Sequence, residues 1–269
     1  MSDTAATRDT ARPAGRGRSD RRERLALGAL GVIALLVCWQ LSADWGLLNP
    51  TIGSSPKLIA QAFAAQWQSG DLLSDLRVSM GEFAAGFLLA LVFGVALGIA
   101  MGMSRILEYA VDPFIWFLYS SPLIALYPVI VVWLGFGTTT VIAVSFLLTV
   151  VSVVVNTLAG VRSVEPMLIR AVKAFGGGRR AIITKVILPA AVPLIAAGAR
   201  IGLGRALLGV VLGEMFSSNA GLGFRISYYA GRLRTADVFV ALLLLIAIGL
   251  ATDKIFKQVE ARLQRWRPR

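Results

Sequence analysis

The sequence contains no histidine and one cysteine, Cys38. The first absence removes the commonest general base and a leading metal ligand. The second excludes an intrachain disulfide and any multi-cysteine metal cluster. Charge is also scarce: charged residues make up 16% of the chain, and Asp and Glu number 15 against 27 Lys and Arg. Nucleotide-binding signatures are missing. Gly176-Gly177-Gly178-Arg179-Arg180 lacks the G-x-x-x-x-G-K-[ST] spacing that cradles phosphates, and Gly221-Leu222-Gly223 lacks the third glycine of a Rossmann turn. No Asp/Glu pair lies within an apolar run, so neither ATP hydrolysis nor a proton relay within this chain is expected. A membrane enzyme finds no nucleophile, base or metal cluster to work with.

What the chain has in abundance is apolar sequence: 57% of its residues are hydrophobic, well above the roughly 45–50% of soluble domains. Mean hydropathy is +0.73. The apolar residues gather in runs at Leu25–Ala43, Phe83–Met103, Pro113–Leu134, Val141–Ala159, Ala190–Gly213 and Val238–Ala251, the last extending from about Asp237 to Ile255. About 20 such residues cross the ~30 Å hydrocarbon core as a helix. Two-residue alternation, the mark of a barrel strand, is absent from them. The expectation is an all-α membrane protein with six transmembrane helices in one domain, 25–255, flanked by basic tails at 1–24 and 256–269. The first tail has no apolar periodicity and reads as disordered. The run after it exceeds a signal-peptide core and no convincing A-x-A site follows, so it reads as a signal anchor.

Six spans put both termini on one side. The tail 1–24, the loop 104–110, the loop 160–189 and the tail 253–269 hold twenty Lys and Arg, against five in the opposite loops (Lys57, Arg77, Arg225, Arg232, Arg234). The positive-inside rule makes the richer side cytoplasmic, in a bacterial inner membrane, and anionic headgroups account for most of the +12 net charge without nucleic acid. On the other side, Asn49–Pro56 reads as a loop. After it, Leu58, Ile59, Ala62, Phe63 and Trp67 form an amphipathic helix pattern, either an interfacial helix with a role in transport or a plain surface lid. No internal repeat supports an inverted-repeat transporter.

Small residues recur every fourth position in the second run: Gly86, Ala90, Gly94, Gly98 and Gly102. Such stripes let helix backbones approach closely in lipid, within one subunit or across a subunit seam. The fifth run repeats the tendency at Gly198, Gly202, Ala206, Gly209 and Gly213, and Pro113, Pro122 and Pro128 predict kinks in the third. Arg200 and Arg205 lie inside the fifth run, where an Arg costs about 2.5–3.5 kcal/mol on insertion scales and must face protein or water. Five residues apart, they point about 140° from each other. Each is either an anion contact in the translocation pathway or a structural cation. Glu214 ends that run as a helix-end or gate-region residue.

The loop 160–189 carries the main functional signal. Glu165-Pro166 ends the fourth span and starts a short helix, Met167–Phe175, and Gly176–Gly178 stops it. Arg179–Leu188 predicts a second short helix before Pro189 opens the fifth span. In sequence, Arg170-Ala171-Val172-Lys173-Ala174-Phe175-Gly176 through Val186-Ile187-Leu188-Pro189 resembles the E-A-A-x-x-x-G-x(9)-I-x-L-P loop of ABC-importer permeases. Ala171, Gly176, Leu188 and Pro189 match that pattern. Arg170 replaces its Glu, Val172 its second Ala and Val186 its Ile. Asp112-Pro113, the Ser55-Pro56 loop, Gly198-Ala199-Arg200, Gly213-Glu214-Met215 and Gly221-Leu222-Gly223 look like the nitrate/sulfonate/taurine branch, over roughly residues 45–265.

The resemblance implies a permease that dimerises and binds two cytoplasmic ATPase subunits through a coupling surface (Arg170, Ala171, Lys173, Gly176, Gly177, Arg179, Leu188, Pro189). ATP and Mg would be bound by those partners, with no cofactor in this chain, and a periplasmic or lipid-anchored solute-binding protein would deliver substrate. Small anions such as sulfonates, taurine or nitrate fit the branch; aromatic carboxylates and a thiamine-related pyrimidine stay open. The alternative reading is a stand-alone secondary transporter or channel.

Overall fold

The computed structural model describes residues 19–47 and 53–263. The expected loop at 49–52, most of the N-terminal tail and the last six residues lie outside them. Every regular element among the described residues is helical. Contacts divide the chain into two units, 1–58 and 59–269.

In the first unit, α1 (Ser19–Asp44) is apolar around most of its circumference, and its described side chains are largely exposed, as suits a helix solvated by lipid. It begins inside the segment expected to be disordered. α2 (Pro56–Gln68) starts at the predicted proline in this unit, and its remainder from Ile59, with the Phe63 and Trp67 rings stacked at 6.0 Å, belongs to the second.

The second unit is built around three long helices: α3 (Asp71–Met103), α6 (Thr138–Arg162) and α9 (Leu188–Ser217). α6 is the central one. Its Ser145, Val153, Thr157 and Val161 lie so close to α3 that a Cβ on Gly86, Gly94, Gly98 or Gly102 would come within 2.5–2.8 Å of them. On its other side, a Cβ on Gly198 would lie 2.6 Å from Asn156 and one on Gly209 2.7 Å from the Ser145 backbone. The glycine stripes of α3 and α9 therefore both close on α6 within one chain. Contact at this range supplies the dispersion that lipid-solvated helices need to associate. Ser145 Oγ donates to the Ala206 carbonyl at 3.1 Å, adding a polar tie in a buried seam.

The third predicted span is not one kinked helix. α4 (Arg105–Ser120) contains Pro113, ends at Ser121-Pro122, and turns by 96° into a 3₁₀ turn (Leu123–Leu126) and α5 (Tyr127–Leu134). Pro122 cannot continue the helix, whereas Pro128 sits in the first turn of α5, where its missing N–H costs nothing. With this bent pair counted as one, six segments among the described residues are long and apolar enough to cross a membrane; without it, five. α10 (Leu222–Ala230) and α11 (Thr235–Leu263) complete the bundle, and α11 carries helix well past the expected boundary at residue 255.

Candidate functional site

The connection from α6 to α9 holds the loop singled out in the sequence. Pro166 at the first position starts α7 (Pro166–Ala174). Its end is a Schellman motif: Gly176 N–H donates to the Lys173 carbonyl at 3.0 Å and Gly177 N–H to the Val172 carbonyl at 2.8 Å, with Gly176 at φ 76°. A side chain at Gly176 would be strained by that φ, and one at Gly177 would collide with Val172. The predicted second short helix does not end before α9. α8 (Arg179–Ile182) passes through a π-helical stretch, Ile183–Ile187, directly into α9, giving continuous helix over Arg179–Ser217. The wider π turn lies just ahead of Pro189, whose ring crowds the preceding turn of a regular helix.

α7 is amphipathic. Ile169 and Val172 pack with Ile99, Met103, Val161, Ile182 and Ile187, fixing α7 to the ends of α3, α6 and the α8–α9 helix. Met167, Arg170, Ala171, Lys173 and Phe175 face outward, and Phe175 is 93% exposed. Gly176 and Arg179 are exposed, and Gly177 is half-buried. An open groove of about 470 Å³ between α7 and the start of α9 is lined by Leu168, Ala171, Val172, Phe175, Lys185, Val186, Pro189 and Ala190. Leu188, next to it, is 38% exposed. Beside α7, Arg162 at the end of α6 pairs with Glu108 of α4. Sequence reasoning did not single out Phe175 or Met167. Large apolar residues on the same side as Arg170 and Lys173, off the Ile169–Val172 face, were the available signal.

The two arginines of α9 have different surroundings. Arg200 Nε donates to Asp253 Oδ1 of α11 at 3.2 Å, and Lys257 shares that carboxylate. Arg205, half-buried, has its guanidinium 5.5 Å from the Tyr119 ring centroid of α4, and no salt bridge to it occurs among the described residues. An open, apolar cleft of about 540 Å³ lies along the bent segment, lined by Ile124, Ala125, Tyr127, Pro128, Val131, Phe136 and Phe216.

The densest polar cluster lies at the end of the bundle away from α7, and sequence reasoning passed over most of it. Three successive N–H groups at the start of α10 are each captured by a side chain. Gly221 N–H donates to Asp75 Oδ1 at 2.9 Å, Leu222 N–H to Ser79 Oγ at 2.9 Å, and Gly223 N–H to Glu214 Oε2 at 2.6 Å. This satisfies the orphan donors of a helix N-terminus and sets negative charge against its dipole. A Cβ on Gly221 would overlap the Glu214 carboxyl and one on Gly223 the Val211 carbonyl, so the Gly-x-Gly pair is a space requirement. Arg225 of α10 pairs with Asp75 and, at 3.4 Å, with Asp71. Burial pulls the Arg225 pKa down, but the hydrogen bond and charge of Asp75, with Tyr229, more than offset this and raise it. Nearby, Gln66 donates to Asp237 at 2.8 Å, and Asp237 accepts from Arg234 at 2.9 Å.

Glu214 lies in the last turn of α9 and is fully buried, and the Glu82 carboxyl of α3 lies beside it. The apolar run read from the sequence begins at Phe83 and holds no acid pair, but α3 starts at Asp71 and carries Asp71, Asp75 and Glu82, and the fold sets Glu82 beside Glu214 of α9. Asp75, Ser79 and Glu82 fall at i, i+4 and i+7. That polar stripe at the head of an apolar helix was the readable signal. Among the described residues, no group of three or more His, Cys, Asp or Glu is arranged to hold a metal ion.

Comparison with known proteins agrees with this architecture. The bundle superposes on a chain of the MetNI methionine ABC transporter in an inward-facing form, with a TM-score of 0.65 over 74% of this chain and 98% of that one, at 19% identity. In sequence, the chain is 32% identical over 240 residues to a protein named as an aliphatic sulfonates transport permease, SsuC, of Bacillus subtilis (strain 168), covering 89% of this chain and 87% of that one. It is 32% identical over 252 residues to the taurine transport system permease protein TauC of Escherichia coli (strain K12), covering 91% and 90%. Residues 74–265 match the family profile of the binding-protein-dependent transport system inner membrane component. The chain is a multi-pass membrane protein of that family, a transport permease of the ABC-importer type.

Proposed function

We propose that this chain is the membrane path for a small organic or inorganic anion of the sulfonate, taurine or nitrate kind. It would work as a pair of identical copies, with two cytoplasmic ATPase subunits that bind ATP and Mg and a periplasmic or lipid-anchored protein that delivers the solute. Both termini and α7 face the cytoplasm in this reading, and the chain itself hydrolyses nothing. The observation that carries it is α7: an exposed Phe175 and Met167 set among Arg170, Lys173 and Arg179, on a helix pinned by Ile169 and Val172 to the ends of the long helices. A helix attached in this way passes a push from an ATPase to the bundle without losing it in a flexible loop. Arg170, in place of the acidic residue of the family pattern, calls for an acidic residue on the ATPase, since two like charges there would oppose docking.

Within the path, Arg205 is the anion contact and Arg200 a structural cation. The support is the Asp253 partner of Arg200 and the lack of a salt bridge to Arg205 among the described residues. Two experiments test the proposal. Deletion of 166–178, or Phe175→Asp, abolishes co-purification of the ATPase; retained ATP-driven uptake refutes α7 as the energy input, and gradient-driven flux through this chain alone favours the stand-alone transporter. Arg205→Leu lowers anion uptake with basal ATPase activity intact; unchanged uptake makes Arg205 structural.

A further inference from the structure

One pair of side chains at the α10 end has requirements that the rest of the chain does not meet. Glu82 is 2% exposed and Glu214 0%, and their carboxyls lie side by side. Of their four oxygens, only Glu214 Oε2 completes a hydrogen bond, from Gly223 N–H. Glu214 Oε1 and both oxygens of Glu82 have no hydrogen-bond partner. The partly buried cation of this region, Arg225, is committed to Asp75 and Asp71, Arg234 is committed to Asp237, and Arg77 of α3 is exposed. Besides Arg77, the other titratable groups on the helices packed here are Arg200 and Arg205 of α9, Tyr127 of α5, and Tyr228 and Tyr229 of α10, and α6 brings the hydroxyl of Thr138 to Glu82. Two buried carboxylates in contact, without a positive charge between them, repel each other and forfeit their hydration. A bundle this closely packed does not keep such a pair unless something neutral or cationic completes it.

We propose that Glu82 and Glu214 form a binding site for one small monovalent cation, a proton or a sodium ion, which joins α3 to α9 beneath the first turn of α10. The charge balance favours a single positive charge. One carboxylate is neutralised by the cation, and the other is stabilised by Gly223 N–H and the N-terminal dipole of α10. The oxygens at hand are hard donors: the two carboxyls, with the hydroxyls of Ser79 and Thr138 beside them. A divalent ion is disfavoured because it takes six or more oxygens, and the nearest further carboxylate, Asp75, is held by Arg225. Gly221 and Gly223 keep the space in which the Glu214 carboxyl sits. Occupancy therefore tightens three elements at once, and loss of the cation loosens the turn that caps this end of the bundle.

The test uses the full chain in lipid nanodiscs, with thermal unfolding followed by tryptophan fluorescence over a pH series, in sodium chloride and in choline chloride at equal ionic strength. Bound sodium raises the apparent folding constant about tenfold per tenfold sodium at saturation, and less at low pH, where protons compete for the same oxygens. A bound proton gives stability that is lost as pH rises, with no difference between the two salts. In either case Glu82→Gln, which keeps shape and hydrogen-bonding capacity, removes the response, and Glu214→Gln does the same. Wild-type pH and sodium responses that persist in Glu82→Gln overturn the proposal, as does a wild-type protein that shows neither. If both variants fail to fold, the wild-type chain decides. The infrared carbonyl stretch of a buried protonated acid at neutral pH, or stoichiometric sodium uptake by dialysis, supports the site, and absence of both refutes it.

Discussion

Asp75→Asn tests the physical account of the α10 end directly. Asp75 is 3% exposed and accepts from both Gly221 N–H and Arg225, whose side chain is 19% exposed. The amide keeps one oxygen for Gly221 but turns a donor toward the guanidinium, leaving Arg225 with Asp71 at 3.4 Å. Removing one partner of a fully buried pair costs about 3–5 kcal/mol. A hydrogen bond to a charged group is worth about 1.5–3 kcal/mol. Because Arg225 retains some solvent and Asp71, a loss of about 2–3 kcal/mol is expected, between those limits. Asp71, with its side chain 54% exposed, is the internal control. Asp71→Asn removes a solvent-screened ion pair and costs about 0–1 kcal/mol. The assay is reversible denaturant unfolding in mixed micelles, comparing the two variants with the wild type. A loss for Asp75→Asn no larger than that for Asp71→Asn would refute the claim that burial, and not charge count, gives this network its strength.

Three further outcomes follow from the packing and the loop. Gly98→Leu forces side-chain atoms into Thr157 and the Val154 carbonyl, so thermal stability in detergent should fall by about 1–3 kcal/mol or more, while Gly81→Leu, with open space around it, should change little. Gly176→Ala places a methyl group at φ 76° and should destabilise the end of α7 by about 1 kcal/mol, read as faster amide exchange confined to 171–178. Arg200→Gln breaks an exposed pair with Asp253 and should alter unfolding by less than about 1 kcal/mol; a larger loss would mean that this pair, despite its exposure, holds α9 to α11.

The sequence revealed features that depend on neighbours along the chain. The apolar runs gave the all-α membrane class because a helix meets its own backbone hydrogen bonds, and run length alone then decides whether it spans. Pro166, Gly176 and Gly177 located α7 because its start and stop are local conformational events. The four-residue glycine period marked the close-approach faces of α3 and α9, but it left their partner open. Local reasoning failed where proline has two possible effects. Pro113 is accommodated inside α4, Pro128 begins α5, and only Pro122 marks the 96° turn, a choice made by how the segment packs on α6.

Charge was read least well, since a residue's ionic partner need not be near it in sequence. Arg200 and Arg205 look alike in the run, yet one meets Asp253 on α11 and the other the Tyr119 ring on α4. Glu82 and Glu214 lie on different helices, far apart in sequence. The chain by itself determined that the apolar runs are helical, where α7 begins and ends, and which faces can approach closely, because propensity, capping and period are local properties. Tertiary structure decided which helix lies in the middle, which arginine is neutralised, and that two acids and the Gly221–Gly223 turn share one buried space. Those outcomes depend on distances across the bundle, and only the packing of α3, α6 and α9 sets them.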